Sequence, residues 1–159
     1  MQDAQHQTVI SPELSCMHQT KESIRELVKN KTIPSDSMEV SELIALYTRA
    51  WSEPDYALRQ KLLESTWAED GTYTDPTAHV AGRKALVDHI GAFFEQFPGA
   101  YFVVTSGIDS HHGKFRFTWR MVLADGKVFG EGIDFGELNS DGKLHRIVGF
   151  FGPLAQAIG

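Results

Sequence analysis

Asp134 is the residue whose expected surroundings are most typical of a catalytic or ligand-binding group. It lies in the strand-like run Lys127–Leu138, and the face that carries it is expected to meet aromatic and aliphatic side chains of neighbouring strands. Burial among such groups disfavours the charged form of a carboxyl group and raises its pKa. A carboxylic acid that stays neutral near pH 7 can donate a hydrogen bond to a ligand. The predicted pocket around it comprises His89, Phe117, Trp119, Met121, Ile147 and Phe151.

Two hairpin signals set this register. Asp125-Gly126 and Asp141-Gly142 are both typical of two-residue type I′ turns, which require positive φ. The first turn would place Phe117 opposite Asp134, and the second would place Gly149 opposite Asp134. A bulge would instead turn Asp134 to solvent, since a one-residue slip reverses every side chain. Glycines beside it would open space for a ligand; they are Gly130, Gly132 and Gly149.

Helical spacing predicts three helices before these strands. The first carries Tyr47 on its buried face, where the alternative is an ordinary core tyrosine with its hydroxyl bonded to backbone. The second is expected over Pro54–Ala68 and the third over Gly82–Phe97. His89 lies at the edge of the third helix's apolar face, either as a structural residue or as a proton shuttle. Tyr73–Pro76 should be extended, because proline disfavours helical geometry in the residue before it.

After Pro98-Gly99 the hydrophobic period changes to two, which predicts four strands. Helices followed by an antiparallel meander indicate an α+β fold in which three helices pack on one curved antiparallel sheet. Residues 1–36 are expected to form an N-terminal extension with a short helix, and residues 37–159 the domain. The predicted strands are Tyr101–Asp109, Lys114–Leu123, Lys127–Leu138 and Lys143–Phe151.

Composition narrows the classes of function. A formal net charge of -6 over 159 residues argues against binding to nucleic acid or to anionic membranes. Cys16 is the only cysteine, so an intramolecular disulfide is excluded and a reducing, cytoplasmic location is expected. No export signal or spanning run is visible in the sequence. We expect neither a metal nor a cofactor, since His111-His112 has no third ligand in register and Gly130-Glu131-Gly132 is not a dinucleotide loop.

The order of motifs resembles the nuclear-transport-factor-2-like superfamily, and within it the ketosteroid isomerases and SnoaL-like polyketide cyclases. The matching segments are Tyr47, Trp67–Pro76, Gly130–Leu138 and Lys143–Gly152. The resemblance implies a cone-like sheet wrapped by the helices around an apolar pocket, and a homodimer. It also implies proton transfer without a cofactor, next to the carbonyl group of a hydrophobic small molecule.

The same resemblance assigns roles to three residues. Asp75, in Thr74-Asp75-Pro76, would be the catalytic base, while Tyr47 and a protonated Asp134 would donate hydrogen bonds to the enolate oxygen, as in ketosteroid isomerase. Asp75 could instead only shape a turn. Two alternatives stay open for the whole domain: an epoxide hydrolase, which would need an arginine beside Asp134, and a non-catalytic ligand-binding or dimeric interaction module.

Overall fold

The computed structural model describes residues 38–159, in which three helices accompany a seven-stranded sheet. This confirms the predicted α+β class, whereas the expected extension over residues 1–36 lies outside the described residues. The helices are α1 (Val40–Ala50), α2 (Tyr56–Thr66) and α3 (Arg83–Gln96). The strands are β1 (Trp67–Asp75), β2 (Ala78–Ala81), β3 (Tyr101–Val104), β4 (Asp109–His111), β5 (Lys114–Val122), β6 (Val128–Leu138) and β7 (Leu144–Phe151).

The sheet is curved and unclosed, with strand order β2-β1-β7-β6-β5-β3, and β4 pairs with β5 as well. β1 lies parallel to β7, while every other strand pair described is antiparallel. The expectation of a wholly antiparallel sheet is therefore wrong for this one pair. β2, α3 and four strands separate the two partners along the chain, so no local turn signal reveals their pairing.

Two predicted element boundaries also change. α2 ends at Thr66 rather than Ala68, because Trp67 and Ala68 already belong to β1 and Trp67 pairs with Leu144. The single strand expected over Tyr101–Asp109 is two strands, β3 and β4, which pair with opposite ends of β5.

Both loops that flank β6 contain three residues rather than the predicted two. In the first, the amide of Leu123 donates to the carbonyl of Lys127 at 2.8 Å, and the amide of Gly126 donates to the carbonyl of Leu123 at 2.9 Å. Gly126 has φ +84°, as in a type I turn closed by a glycine bulge. The second loop has the same form, with Gly142 at φ +75°.

A second irregularity in each hairpin restores the expected register. Phe129 on β6 and His145 on β7 are each skipped in the pairing, as the extra residue of a bulge. Beyond these bulges Phe117 lies opposite Asp134, and Asp134 lies opposite Gly149. The predicted side of the sheet is thus confirmed for Asp134, although the predicted turn type is wrong.

The helices cover the face of the sheet that carries Asp134. Leu43 of α1, Leu86 and Ile90 of α3, and Phe115 and Ile147 of the sheet belong to one buried hydrophobic cluster. No helix within residues 38–159 has the length and apolar character needed to cross a membrane.

Candidate functional site

A cavity of about 690 Å³ lies between the helices and the sheet, in the size range of small-molecule sites. The three predicted chemical groups, Tyr47, Asp75 and Asp134, all line it. So do five of the six predicted pocket residues: His89, Phe117, Trp119, Met121 and Phe151.

Ile147 is the exception among the predicted pocket residues. It lies on the correct face of β7, opposite Gly136, but its side chain is completely buried in the core and does not line the cavity. Side-chain alternation identifies the face of a strand, whereas the depth at which the cavity ends depends on where the helices cover that face.

Asp134 is 6% exposed; among residues 38–159 one of its oxygens accepts a hydrogen bond and the other has no protein partner. The indole N–H of Trp119 donates to Oδ1 at 2.8 Å. Burial raises the pKa of Asp134 to about 6, against the lowering effect of the Trp119 bond and with a further increase from the charge of Asp75. Asp134 is therefore about half protonated near pH 6, and its protonated form can donate a hydrogen bond.

At two of the glycines near Asp134, other protein groups already occupy the space that a side chain would take. A Cβ on Gly132 would lie 2.7 Å from Cε2 of Trp119, because the indole ring rests on this strand. A Cβ on Gly149 would lie 2.8 Å from Oδ1 of Asp134. Only Gly130 has no heavy atom within 4 Å of such a Cβ, and it lines the cavity.

Tyr47 is 2% exposed, and its buried hydroxyl has no hydrogen-bond partner among the residues that the structure describes. The alternative of a core tyrosine bonded to backbone is thereby contradicted. Burial raises the pKa of Tyr47 well above its ordinary value, assisted by the charges of Asp134 and Asp75 and opposed by the nearby indole of Trp51. The group is a neutral donor that lacks an acceptor.

Asp75 is held by four donors. Its Oδ1 accepts from the amide and hydroxyl of Thr77, both at 2.7 Å, and from the amide of Ala78 at 2.9 Å. Its Oδ2 accepts from the Tyr73 hydroxyl at 2.7 Å. Asp75 therefore does shape the turn between β1 and β2, and it also lines the cavity. Since a carboxylate offers about four lone-pair sites, two on each oxygen, Oδ2 keeps one for a ligand.

Asp75 and Asp134 stand on either side of Gly149. A Cβ there would be 3.7 Å from Cβ of Asp75 as well as 2.8 Å from the carboxylate of Asp134. Because β7 lies between β1 and β6, the two carboxyl groups belong to strands about 10 Å apart. Both side chains lie within 4 Å of the same point above Gly149, so a single small ligand in the cavity could contact both carboxyl groups.

Tyr73 and Trp51 line the cavity and were not predicted as site residues. Tyr73 donates to Asp75 from the same face of β1, and burial raises its pKa. Its position two residues before Asp75 was a usable signal, since alternate residues of a strand share a face. Trp51 follows Tyr47 by four residues, which is the spacing of one helical face. His89 packs against both rings, with its centroid 5.9 Å from that of Trp51 and 6.0 Å from that of Tyr73.

Within residues 38–159, the charged residues that line the cavity are all acidic: Asp75, Glu131 and Asp134. No lysine or arginine of this described part lines it. Arg116 and Arg120 instead pair with Asp109 and Glu131 at exposed positions. The described residues therefore do not supply the arginine that an epoxide hydrolase would need beside Asp134. Over the same residues, no group of three or more His, Cys, Asp or Glu side chains could hold a metal ion.

Fold and cavity together define an α+β protein of the nuclear-transport-factor-2-like class. The SnoaL-like domain family matches residues 43–147, so the chain belongs to that family. No curated protein matches the sequence significantly.

Solved structures agree with this assignment. A candidate isomerase of the SnoaL-like family from Agrobacterium tumefaciens is 33% identical, with a TM-score of 0.67 over 70% of this chain and 95% of its own. Two more distant proteins share the fold. A candidate SnoaL-like polyketide cyclase from Jannaschia is 13% identical, with a TM-score of 0.53 over 77% and 91% of the two chains. A protein of ketosteroid isomerase-like fold from Catenulispora acidiphila, in complex with trimethylamine, is 12% identical, with a TM-score of 0.56 over 70% and 85%.

Proposed function

We propose that the domain is an isomerase or cyclase that transfers a proton next to the carbonyl group of a hydrophobic compound, without a cofactor. The observation that carries the proposal is the unpaired hydroxyl of Tyr47, which lines the same cavity as Asp134. A buried donor without an acceptor costs about 1 to 3 kcal/mol. A substrate oxygen would supply that acceptor.

The proposed reaction begins at Asp75. Its Oδ2 removes a proton from the carbon next to the carbonyl group, and the C–H electron pair forms a carbon–carbon double bond while the carbonyl oxygen becomes an enolate oxygen. Tyr47 and protonated Asp134 donate hydrogen bonds to that oxygen. Asp75 then returns the proton to a different carbon. In a cyclase, the enolate carbon instead attacks a second carbonyl group of the same molecule, and the oxygen of that group takes the proton from Asp75 to become a hydroxyl.

Hydrogen exchange tests the assignment of the base. We would follow loss of the α-proton by NMR in D₂O for a panel of hydrophobic ketones and enones, beginning with 1-tetralone. Asp75→Asn should slow enzymatic exchange by about 10²- to 10⁴-fold, the usual contribution of a positioned base. The matched control is Asp70→Asn, an exposed carboxylate on the same strand, which should exchange as the wild type does. Equal exchange in wild type and Asp75→Asn would contradict the role of Asp75.

The alternative function is a non-catalytic module that binds a small organic cation. It is favoured by a cavity that combines aromatic rings with acidic side chains, an arrangement that attracts ammonium groups. Trimethylamine, the ligand of the Catenulispora protein, belongs to this class. Calorimetry with benzyltrimethylammonium and its uncharged isostere neopentylbenzene separates the two functions. Preference for the cation, without proton exchange in any ketone, would support the binding module over the enzyme.

A further inference from the structure

We propose that Trp51 is a third hydrogen-bond donor to the ligand oxygen that Tyr47 and Asp134 receive. This inference rests on the proposed function of the cavity and adds a residue to it. In this role Trp51 favours a ligand that carries negative charge on that oxygen over the neutral carbonyl compound.

The indole N–H of Trp51, like the hydroxyl of Tyr47, is a buried hydrogen-bond donor on the cavity wall. The residue is 7% exposed, it lines the cavity, and its buried Nε1 finds no partner within the described part of the chain. It caps the C-terminal end of α1, four residues after Tyr47, so both side chains extend from one side of that helix. Two adjacent donors thus lack acceptors of good hydrogen-bond geometry in one cavity, although the Trp51 N–H lies close enough to the Tyr47 oxygen to lower the pKa of that hydroxyl.

The orientation of the Trp51 ring is fixed by other rings. Its centroid lies 5.1 to 6.5 Å from those of five neighbours, in tilted or edge-to-face arrangements. Such contacts hold an indole in place but offer little to its N–H group. The neighbours are Tyr47, Tyr73, His89, Phe93 and Phe102.

Comparison of the three tryptophans of the chain separates Trp51 from the others. Trp119 also lines the cavity, but its N–H is already bonded to Asp134. Trp67 has a buried and unpaired N–H, but it packs over Gly71 and does not line the cavity. Trp51 alone combines an unpaired N–H with a position on the cavity wall.

The number of donors has a chemical consequence. A ketone oxygen has two lone pairs and is satisfied by Tyr47 and Asp134, whereas an enolate oxygen has a third pair that Trp51 can meet. An interaction that becomes stronger as charge develops lowers the barrier, because it acts on the transition state more than on the ground state. Trp51 would therefore be a catalytic donor as well as part of the cavity wall.

Indole resonances test the contact directly. The ¹H–¹⁵N spectrum should contain one indole signal from each tryptophan, assignable with single Trp→Phe variants. We would compare 2-naphthol, whose oxygen imitates an enolate when the compound binds as its anion, with naphthalene, which has the same rings and no oxygen. The proton of Trp51 should move further downfield with 2-naphthol than with naphthalene, while that of Trp67 responds equally to both. Equal displacement of the Trp51 proton by the two compounds would overturn the inference.

Affinities complete the test. Trp51→Phe should lower the ratio of the affinity for 2-naphthol to the affinity for naphthalene by about ten- to a hundredfold. This is the range for a hydrogen bond to a charged group. Because both ligands lose the same packing against the indole ring, the ratio reports the hydrogen bond alone. The reduction should persist when Trp51→Phe is added to Tyr47→Phe. If it disappears there, Trp51 acts only through Tyr47 and the inference is wrong.

The same data distinguish failure of the inference from failure of the proposed function. A ratio that falls with Tyr47→Phe but not with Trp51→Phe overturns only the third donor. A ratio unchanged by both Tyr47→Phe and Asp134→Leu means that the cavity has no oxyanion site, which removes the proposed function as well.

Discussion

The indole N–H of Trp119 donates a 2.8 Å hydrogen bond to Oδ1 of Asp134 from the neighbouring strand. This bond orients the carboxyl group so that Oδ2, which has no partner in the described part of the chain, is the oxygen available to a ligand. The indole reaches Asp134 only because it can lie across Gly132. Trp119 and Gly132 thus determine which oxygen of Asp134 is available to a ligand.

Gly132→Ala should disrupt this arrangement. The new Cβ would lie 2.6 Å from the carbonyl oxygen of Phe150, on the adjacent strand, as well as against the Trp119 ring. Overpacking of this kind costs about 1 to 3 kcal/mol. Urea unfolding measures the loss, and Gly130→Ala is the matched control, since a Cβ there meets nothing within 4 Å. Equal stability of the two variants would mean that Trp119 moves aside freely.

Asp134→Asn should change the pH dependence of stability. The pKa of Asp134 is raised from 3.8 to about 6 in the folded state, so folding favours the protonated form of this group. Its contribution to the free energy of unfolding is therefore fully present below about pH 4 and is lost as pH rises through 6. That pKa difference corresponds to roughly 3 kcal/mol at high pH. In urea titrations, the free energy of unfolding of the asparagine variant should rise relative to that of the wild type as the pH increases from 4 to 7. A constant difference across that range would show that Asp134 ionises normally.

Binding of a neutral ketone should depend on the same proton. Protonated Asp134 can donate to the ketone oxygen, whereas the ionised form repels it. The Kd of 1-tetralone should therefore rise by up to about tenfold per pH unit above pH 6 and level off below it. Fluorescence titrations from pH 5 to 8 would show this, and Asp134→Asn, which donates at every pH, should give a flat profile. A flat profile in the wild type would exclude the donor role.

Tyr47→Phe should stabilise the free protein while it weakens ligand binding. Removal of a buried hydroxyl that lacks a partner should raise the free energy of unfolding by about 1 kcal/mol. Tyr73→Phe is the contrasting variant, because its hydroxyl bonds to Asp75 and its loss should destabilise by about 1.5 to 3 kcal/mol. Thermal unfolding of the two variants compares them. Destabilisation by Tyr47→Phe would point to a partner for its hydroxyl in solution.

The homodimer stays a prediction from the family, and the outer face of the sheet is where we would test it. Phe135 and Phe150 point away from the cavity and are 42% and 56% exposed. Light scattering should find a dimer for the wild type and a monomer for Phe150→Glu. Leu154→Glu, at a 94% exposed position beyond β7, should leave the mass unchanged. A monomeric wild type would contradict the prediction.

The turn signals and the aromatic face of β5 were sufficient to predict on which side of the sheet Asp134 lies. Alternation within β6 would not have been sufficient, because Ile133 and Phe135 lie on its opposite face, and the register arises from bulges rather than from the predicted turns. The parallel partnership of β1 with β7 was not predictable in this way, because its residues are distant in sequence and no turn joins them.

Contacts within the site depended on side-chain detail that periodicity does not contain. The bond from Tyr73 to Asp75 and the approach of Trp119 across Gly132 arise from rotamers and local packing. The inclusion of Ile147 was wrong for a related reason, since the end of the cavity is set by helix packing rather than by strand alternation.

The bulges at Phe129 and His145 have a consequence for how this family can vary. Each lies between a loop and Asp134 along its hairpin, and each offsets the one-residue shift that the three-residue loop would otherwise impose on the strand. The ends of these hairpins can therefore change length during evolution, or accept an inserted peptide in the laboratory, while Asp134 keeps its place. Such insertions offer a way to attach a recognition segment without rebuilding the chemistry.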